Sequence, residues 1–225
     1  MDLAKPALDL GLFTVRPDAL RAFWEGEVGL TFNHILPIGP GQMQHRFDLP
    51  GGSVLKVNAV AELPPAAPSG YRELIIIREG LAGPTPLTDP DGNAVTLAPP
   101  GYLAMSQIGV IVHVRDLAAA GRYYGETLGL APGEATDSFR AGQSLIQLVE
   151  DREATPDAAI RAPGWRYATL QIFNCEAEHA AVLARGGTQG APPFKAGEVA
   201  IFSMVRDPDG NWLELSQRAS IVGRL

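Results

Sequence analysis

Asp89-Pro90-Asp91-Gly92-Asn93 recurs as Asp207-Pro208-Asp209-Gly210-Asn211, and this duplication restricts the fold of the chain more than any other feature. Pro and Gly set a turn in such a segment, and the Asp and Asn side chains bond the neighbouring backbone before the next strand. One such turn is common. Two copies matter here because other features repeat with them. Phe23-Trp24-Glu25-Gly26-Glu27-Val28-Gly29-Leu30 matches Tyr123-Tyr124-Gly125-Glu126-Thr127-Leu128-Gly129-Leu130 at a constant offset of 100. In both copies an aromatic pair lies near the end of a helical pattern. Gly29 or Gly129 then supplies the left-handed residue with which helices commonly end.

Alternating apolar stretches surround these helices. Ala7 to Val15 and Ile108 to Val114 precede them. Met43 to Leu49 with Val54 to Val57 follow the first, and Ser138 to Arg140 with Ser144 to Val149 follow the second. A second pair of units comes next. Gly70-Tyr71-Arg72-Glu73 parallels Gly164-Trp165-Arg166-Tyr167 at an offset of 94, whereas the closing turns are 118 apart. The fourth unit therefore holds about 24 residues that the second lacks, assigned to a helix from Glu176 to Arg185 and a following loop. The second unit reads as a trimmed copy without its helix. Pro-rich stretches at Leu63 to Ser69 and Pro99 to Tyr102 separate units, and the latter divides the chain into domains 1–100 and 101–225. The fold class is α+β.

A chain of 225 residues can bury a core in either one or two domains. A net charge of −7 and the absence of any run of Lys or Arg exclude an electrostatic footprint for nucleic acid or an anionic membrane. The expected partner is a small-molecule substrate or ligand, and a homodimer is compatible with the sequence. Cys175 is the single cysteine, so no intramolecular disulfide forms. The N-terminus lacks the pattern of a signal peptide, and no apolar run approaches the ~18 residues of a membrane span. The expected location is the cytoplasm.

Four strand-helix-strand units, aromatic-rich helices ending in Leu-Gly-Leu or Val-Gly-Leu, and Asp-Pro-Asp-Gly-Asn before the Leu213-Glu214-Leu215 strand resemble the vicinal oxygen chelate superfamily. That group includes glyoxalase I, bleomycin-resistance proteins, methylmalonyl-CoA epimerase and extradiol ring-cleaving dioxygenases. The resemblance covers nearly the whole chain and is weakest in the second unit. It implies four βαβββ units in two cupped-sheet domains, each cup surrounding a divalent metal. The ligands it implies lie early in each unit's first strand, usually His, and in its last strand, usually Glu. In this sequence those places are Asp9 and Lys56, Glu73 and Thr96, Gly109 and Gln147, Tyr167 and Glu214. None of the first-strand positions is His, and of the second half only Glu214 keeps the expected type. A non-haem iron site of two His and one carboxylate is therefore disfavoured, and the cofactor stays open.

Strand alternation gives a reading of the cup that is independent of the resemblance. From Trp165 to Ile172 one face carries Trp165, Tyr167, Thr169 and Gln171, and the other carries Ala168, Leu170 and Ile172. His113 shares a face with Gly109 and Ile111, Gln147 enters from the third unit, and Trp212 and Glu214 come from the last strand. Tyr167, Glu214 and His113 are the expected proton-transfer groups, with Gln147, Gln171, Trp165 and Trp212 binding the substrate. Glu214 is also the one expected metal ligand. An ionisable residue between Leu213 and Leu215 needs a partner if buried, and Arg166 and Arg218 are candidates.

In the first half, Lys56 with Asp9 and Glu73 reads either as a buried ion cluster in place of the metal or as a catalytic lysine. If the first unit pairs with the fourth instead of the second, Asp9 and Lys56 join Tyr167 and Glu214 in one richer site. His45 lies on an apolar strand face, His34 in a loop, and His179 on a solvated helix. Cys175 has no His partner on its strand face. The functional expectation is an enzyme moving a proton on a small carbonyl-bearing or aromatic molecule, as an isomerase or lyase. The alternatives are a metal-free binding protein of the bleomycin-resistance kind and a dioxygenase with unusual ligands.

Overall fold

The computed structural model describes residues 1–225. The first unit is β1 (Leu3–Thr14), α1 (Pro17–Gly26), β2 (Thr31–Gly39), β3 (Gln42–Asp48) and β4 (Val54–Ala59). The second keeps only β5 (Tyr71–Ile77), β6 (Thr85–Thr88) and β7 (Ala94–Ala98), without a helix. The third runs β8 (Ile108–Val114), α2 (Leu117–Arg122) with a π-helical turn over Tyr123–Thr127, β9 (Ala131–Pro132), β10 (Ser138–Ala141) and β11 (Ser144–Glu150). The fourth is β12 (Gly164–Ile172), α3 (Cys175–Ala184), β13 (Thr188–Ala196), β14 (Ala200–Arg206) and β15 (Trp212–Arg218), followed by the short α4 (Ala219–Val222). No helix is long and apolar enough to cross a membrane.

Local chemistry explains the helix boundaries. Pro17 opens α1, where its missing N–H costs nothing, and Leu20, Phe23 and Trp24 form its buried stripe. Asp116 caps α2 by accepting from the Ala119 N–H at 2.9 Å, and Asn174 caps α3 by accepting from Ala177 at 3.0 Å. Among the strands that escape the sequence patterns are β2 and β13. Each is a sheet edge and each carries proline, Pro37 in one and Pro192 and Pro193 in the other. Edge strands tolerate proline because one side needs no ladder bond, and their polar composition hides the alternation. His34 therefore lies on an exposed edge strand and not in a loop.

Eight strands form one sheet in the order β13-β14-β15-β12-β1-β4-β3-β2, and seven form the other in the order β6-β7-β5-β8-β11-β10-β9. Each sheet draws strands from both sides of residue 100. The expected grouping, units one and two in one cup and three and four in the other, does not hold. β1 instead runs antiparallel to β12 with Asp9 opposite Thr169, and β5 runs antiparallel to β8 with Ile75 opposite Gly109. The short connection after β7 folds β8 directly back onto β5, so consecutive units two and three pair and units one and four meet across the molecule.

The duplicated turns tie the units together. Asp89 Oδ1 accepts from the Asp91 and Asn93 N–H groups at 2.9 and 2.8 Å, and Asp207 Oδ1 accepts from Asp209 and Asn211 at 3.0 and 2.8 Å. Arg16 donates to Asp91 and Arg115 to Asp209, both at 2.8 Å, so each turn is held by the arginine that precedes the helix of its own half. Asn211 reaches further, accepting from the Gly70 N–H at 2.7 Å.

The inward faces of both sheets and the helices share one core of 38 buried residues. Trp24 of α1 meets Trp165 of β12 edge-on within it, with centroids 6.0 Å apart. The outward faces differ. On the sheet of units two and three, Met105 from the inter-unit connection lies directly on Gly109 and packs with Ile75, Ala98 and Leu145. That cup is filled by the chain itself.

Candidate functional site

The cup of units one and four stays open, with a cavity of about 350 Å³ lined by Lys56, Asn58, Tyr167, Glu214 and Arg218 among apolar groups. The four family positions of these two units, Asp9, Lys56, Tyr167 and Glu214, all lie on its floor strands. Asp9 sits opposite Thr169 across the central strand pair, and Thr169 sits beside Glu214. Cβ alternation then turns Asp9 and Gly11 of β1, Lys56 and Asn58 of β4, and Tyr167, Thr169 and Gln171 of β12 to one side.

Lys56 is the centre of the arrangement. Its Nζ donates to Thr169 Oγ1 at 2.7 Å and lies 3.3 Å from both carboxylate oxygens of Glu214, with 3 % of the side chain exposed. Burial pushes its pKa down, and the charges of Glu214 and Asp9 pull it back up. Asp9 is itself occupied: it pairs with Lys5, accepts from the Val54 N–H at 2.9 Å and accepts from Gln171 Nε2 at 3.1 Å. Tyr167 Oη accepts from Asn58 Nδ2 at 3.0 Å, which leaves its own hydrogen free for a ligand in the cavity. Burial first, and then Glu214, keep this phenol well above its usual pKa. Tyr167 fits only because β1 has glycine opposite it, since a Cβ at Gly11 would lie 2.2 Å from two ring carbons.

The metal implied by the resemblance does not fit these donors. An ammonium stands among the positions where ligands are needed, Asp9 is already saturated, and no three His, Cys, Asp or Glu side chains converge anywhere. Zinc and iron sites need several neutral or anionic donors around one point. Of the two readings of Lys56, the ion cluster is present in altered form. The acids near Lys56 are Glu214 and Asp9. Glu73 lies in the other sheet, where it accepts from Thr96.

Other expected residues lie elsewhere. His113 is on β8 of the second sheet, bonded through Nδ1 to Asp151 at 3.0 Å and partly exposed, so it cannot share a ligand with Tyr167 and Glu214. That hydrogen bond also holds the Asp151 carboxyl below its usual pKa. Gln147 lies on the same sheet and donates to the Thr136 carbonyl at 2.8 Å. Both were grouped with the cavity because the third unit was expected to pair with the fourth. Trp165 is on the core face, because a bulge between Gly11 and Leu12 in the β1–β12 ladder breaks the alternation that would have set it beside Tyr167. Trp212 packs next to Tyr167 without lining the cavity; its Nε1 donates to the Ala158 carbonyl at 2.8 Å and Arg206 stacks on its ring at 4.6 Å. Arg166 is spent on backbone carbonyls, including Ala162 and Pro163, and is not the partner of Glu214.

Among the remaining histidines, His45 is buried as expected, and burial lowers its pKa. His179 is buried too, contrary to the solvated position expected, and bonds Ser203 at 3.0 Å and Gln189 at 3.1 Å. Cys175 is fully buried, and burial raises its pKa, which disfavours a nucleophilic thiolate. Asn58 and Arg46 were missed. Both follow from alternation once Lys56 is placed, because Asn58 is two residues on and Arg46 is its ladder partner on β3.

A cupped eight-stranded sheet built from two βαβββ units, with a ligand-sized cavity over the central strands, defines a protein of the vicinal oxygen chelate fold. Residues 106–215 match the Glyoxalase/Bleomycin resistance protein/Dioxygenase superfamily. That match covers just under half of the chain, and the chain as a whole adopts the four-unit fold. Glyoxalase I from Zea mays superposes with a TM-score of 0.75 at 13 % identity, covering 96 % of this chain and 95 % of that one. A dioxygenase candidate from Bacillus subtilis superposes with a TM-score of 0.70 at 12 % identity, covering 97 % of this chain and 85 % of that one. At these identities the likeness concerns the fold alone. No curated protein matches the chain.

Proposed function

We propose that the chain is an enzyme of isomerase or lyase type that moves a proton beside a carbonyl of a small molecule bound in the cup of units one and four. The observation that carries this reading is the Lys56–Glu214 pair at 3.3 Å beneath an apolar cavity, with the Tyr167 hydroxyl free to donate next to it. Glu214 takes the proton as the carbon–hydrogen bond breaks, and the electron pair passes to the carbonyl oxygen. The Lys56 ammonium and the Tyr167 hydroxyl hold that oxygen as its charge grows, which places on Lys56 the electrostatic task of a metal. Protonated Glu214 then returns the proton to carbon, or the electron pair expels a neighbouring leaving group. No oxidant is involved.

Apolar residues make up most of the cavity wall, including Phe13, Ile160 and Met204, and they favour a second reading, a protein that binds its ligand without chemistry. Exchange of substrate hydrogen separates the two. The purified chain is incubated in D2O with a panel of small ketones and oxoacids, and loss of the proton beside the carbonyl is followed by NMR. Exchange that is present in the wild type and lost in Glu214→Gln supports the enzyme. Ligands that bind and keep their hydrogens through long incubation refute it in favour of the binding protein.

A further inference from the structure

The charges facing the cavity do not balance. Lys56 and Glu214 neutralise one another, and Asp9 is neutralised by Lys5. Two further cations remain. Arg218, at the end of β15, lines the cavity, and Arg46 stands opposite Lys56 on the neighbouring strand with 8 % of its surface exposed. Neither guanidinium donates to any protein acceptor or pairs with any protein acid. Burial first, and then the charge of Arg46, lower the pKa of Arg218, while Glu214 and Asp9 act to raise it. Elsewhere the chain satisfies its buried arginine, as the carbonyls around Arg166 show.

Two guanidiniums without a protein acceptor, one buried and one half-buried, in a protein of net charge −7, offer a place for an anion. Guanidinium geometry suits a planar carboxylate, which it binds through two parallel N–H bonds. We propose that the substrate is a carboxylate with an apolar tail, its carboxylate held by Arg46 and Arg218, its carbonyl at Lys56 and Tyr167, and its tail against Leu36, Val199 and Phe202. The proposal rests on the proton-transfer reading of this site and names the substrate class that reading leaves open.

Calorimetric titration of the full chain with α-oxooctanoate, its uncharged methyl ester and heptanoylphosphonate tests the assignment. The acid is expected to bind at least about tenfold more tightly than the ester, because charge-assisted bonds to desolvated guanidiniums are lost with the charge. Arg218→Met and Arg46→Met are each expected to weaken the acid about tenfold or more and to leave the ester within about twofold. Arg218→Lys, which keeps the charge and folds without a new cavity, is expected to fall between wild type and Arg218→Met.

Equal binding of acid and ester, absence of binding by the acid at millimolar concentration, or equal weakening of both ligands in the arginine variants overturns the proposal. A preference for the phosphonate above tenfold overturns the carboxylate assignment in favour of a tetrahedral anion. Hydrogen exchange of the same acid in D2O keeps the two readings apart. Tight selective binding of the acid without exchange leaves the anion subsite standing and refutes proton transfer. Exchange of acid and ester at the same rate does the reverse.

Discussion

Lys56 Nζ lies 3.3 Å from both oxygens of Glu214 although the two residues are 158 positions apart, one on β4 and the other on β15. This relationship joins the first and last units and sets a buried cation beneath the open cup.

Removing one member of the pair leaves the other buried and uncompensated. Glu214→Gln is expected to lower stability by about 3 kcal/mol and to abolish hydrogen exchange. The double variant Lys56→Met with Glu214→Leu is expected to recover most of that stability without recovering activity, because an apolar pair removes both desolvation costs. Urea unfolding of the single and double variants measures the coupling. A double variant no more stable than Glu214→Gln would mean that the pair itself holds the cup together.

Gly11 is required by Tyr167. Gly11→Ala puts a methyl group 2.2 Å from two ring carbons, and Tyr167 is too buried to yield without moving its neighbours. Overpacking of this kind costs about 1–3 kcal/mol. The ring should be displaced toward the cavity and the bond from Asn58 broken, so ligand affinity falls along with stability. A crystal structure of the variant shows directly whether the ring has moved.

Asp207 predicts a pH dependence of stability. Burial, partly offset by the bonds from Asn211, raises its pKa to about 6. Between the unfolded value near 3.8 and about 6, the folded state holds more protons than the unfolded state, so this group's contribution to stability is present at low pH and is lost as pH rises through about 6. The expected loss is about 3 kcal/mol. Asp207→Asn keeps an acceptor for the turn and removes the titration. A plot of unfolding free energy against pH should therefore lose this downward step in the variant. An unchanged step would assign it to another group.

Met105 fills the second cup, so Met105→Ala should leave a cavity beside Gly109 and cost about 2–4 kcal/mol. Ligand affinity in the first cup should not change, because the two cups face outward from a shared core. Thermal unfolding and calorimetry on the same variant measure both effects. A loss of affinity without a loss of stability would place ligand binding in the second cup.

Repetition made much of the fold legible. The turns at Asp89 and Asp207 and the aromatic pairs at Phe23 and Tyr123 marked four units, and the spacing between copies showed that the second unit had lost its helix. Alternation set Tyr167, Thr169 and Gln171 on one face of β12, where they bond Asn58, Lys56 and Asp9. It failed at Trp165, where a bulge at Arg166 in its own strand shifts the phase, and at β2 and β13, where proline and polar residues mask an edge strand.

Periodicity and turn chemistry act over a few residues, so the amino-acid sequence by itself determined the units, their order and, where the strands run without a bulge, the face each side chain takes. Which unit pairs with which depends on backbone ladders between strands more than a hundred residues apart, and no local pattern encodes that choice. Tertiary structure therefore decided that Lys56 meets Glu214 and that His113 and Gln147 do not. It also decided that Met105 closes one cup while Arg218 lines the other and Arg46 stands beside Lys56, neither with an acceptor of its own.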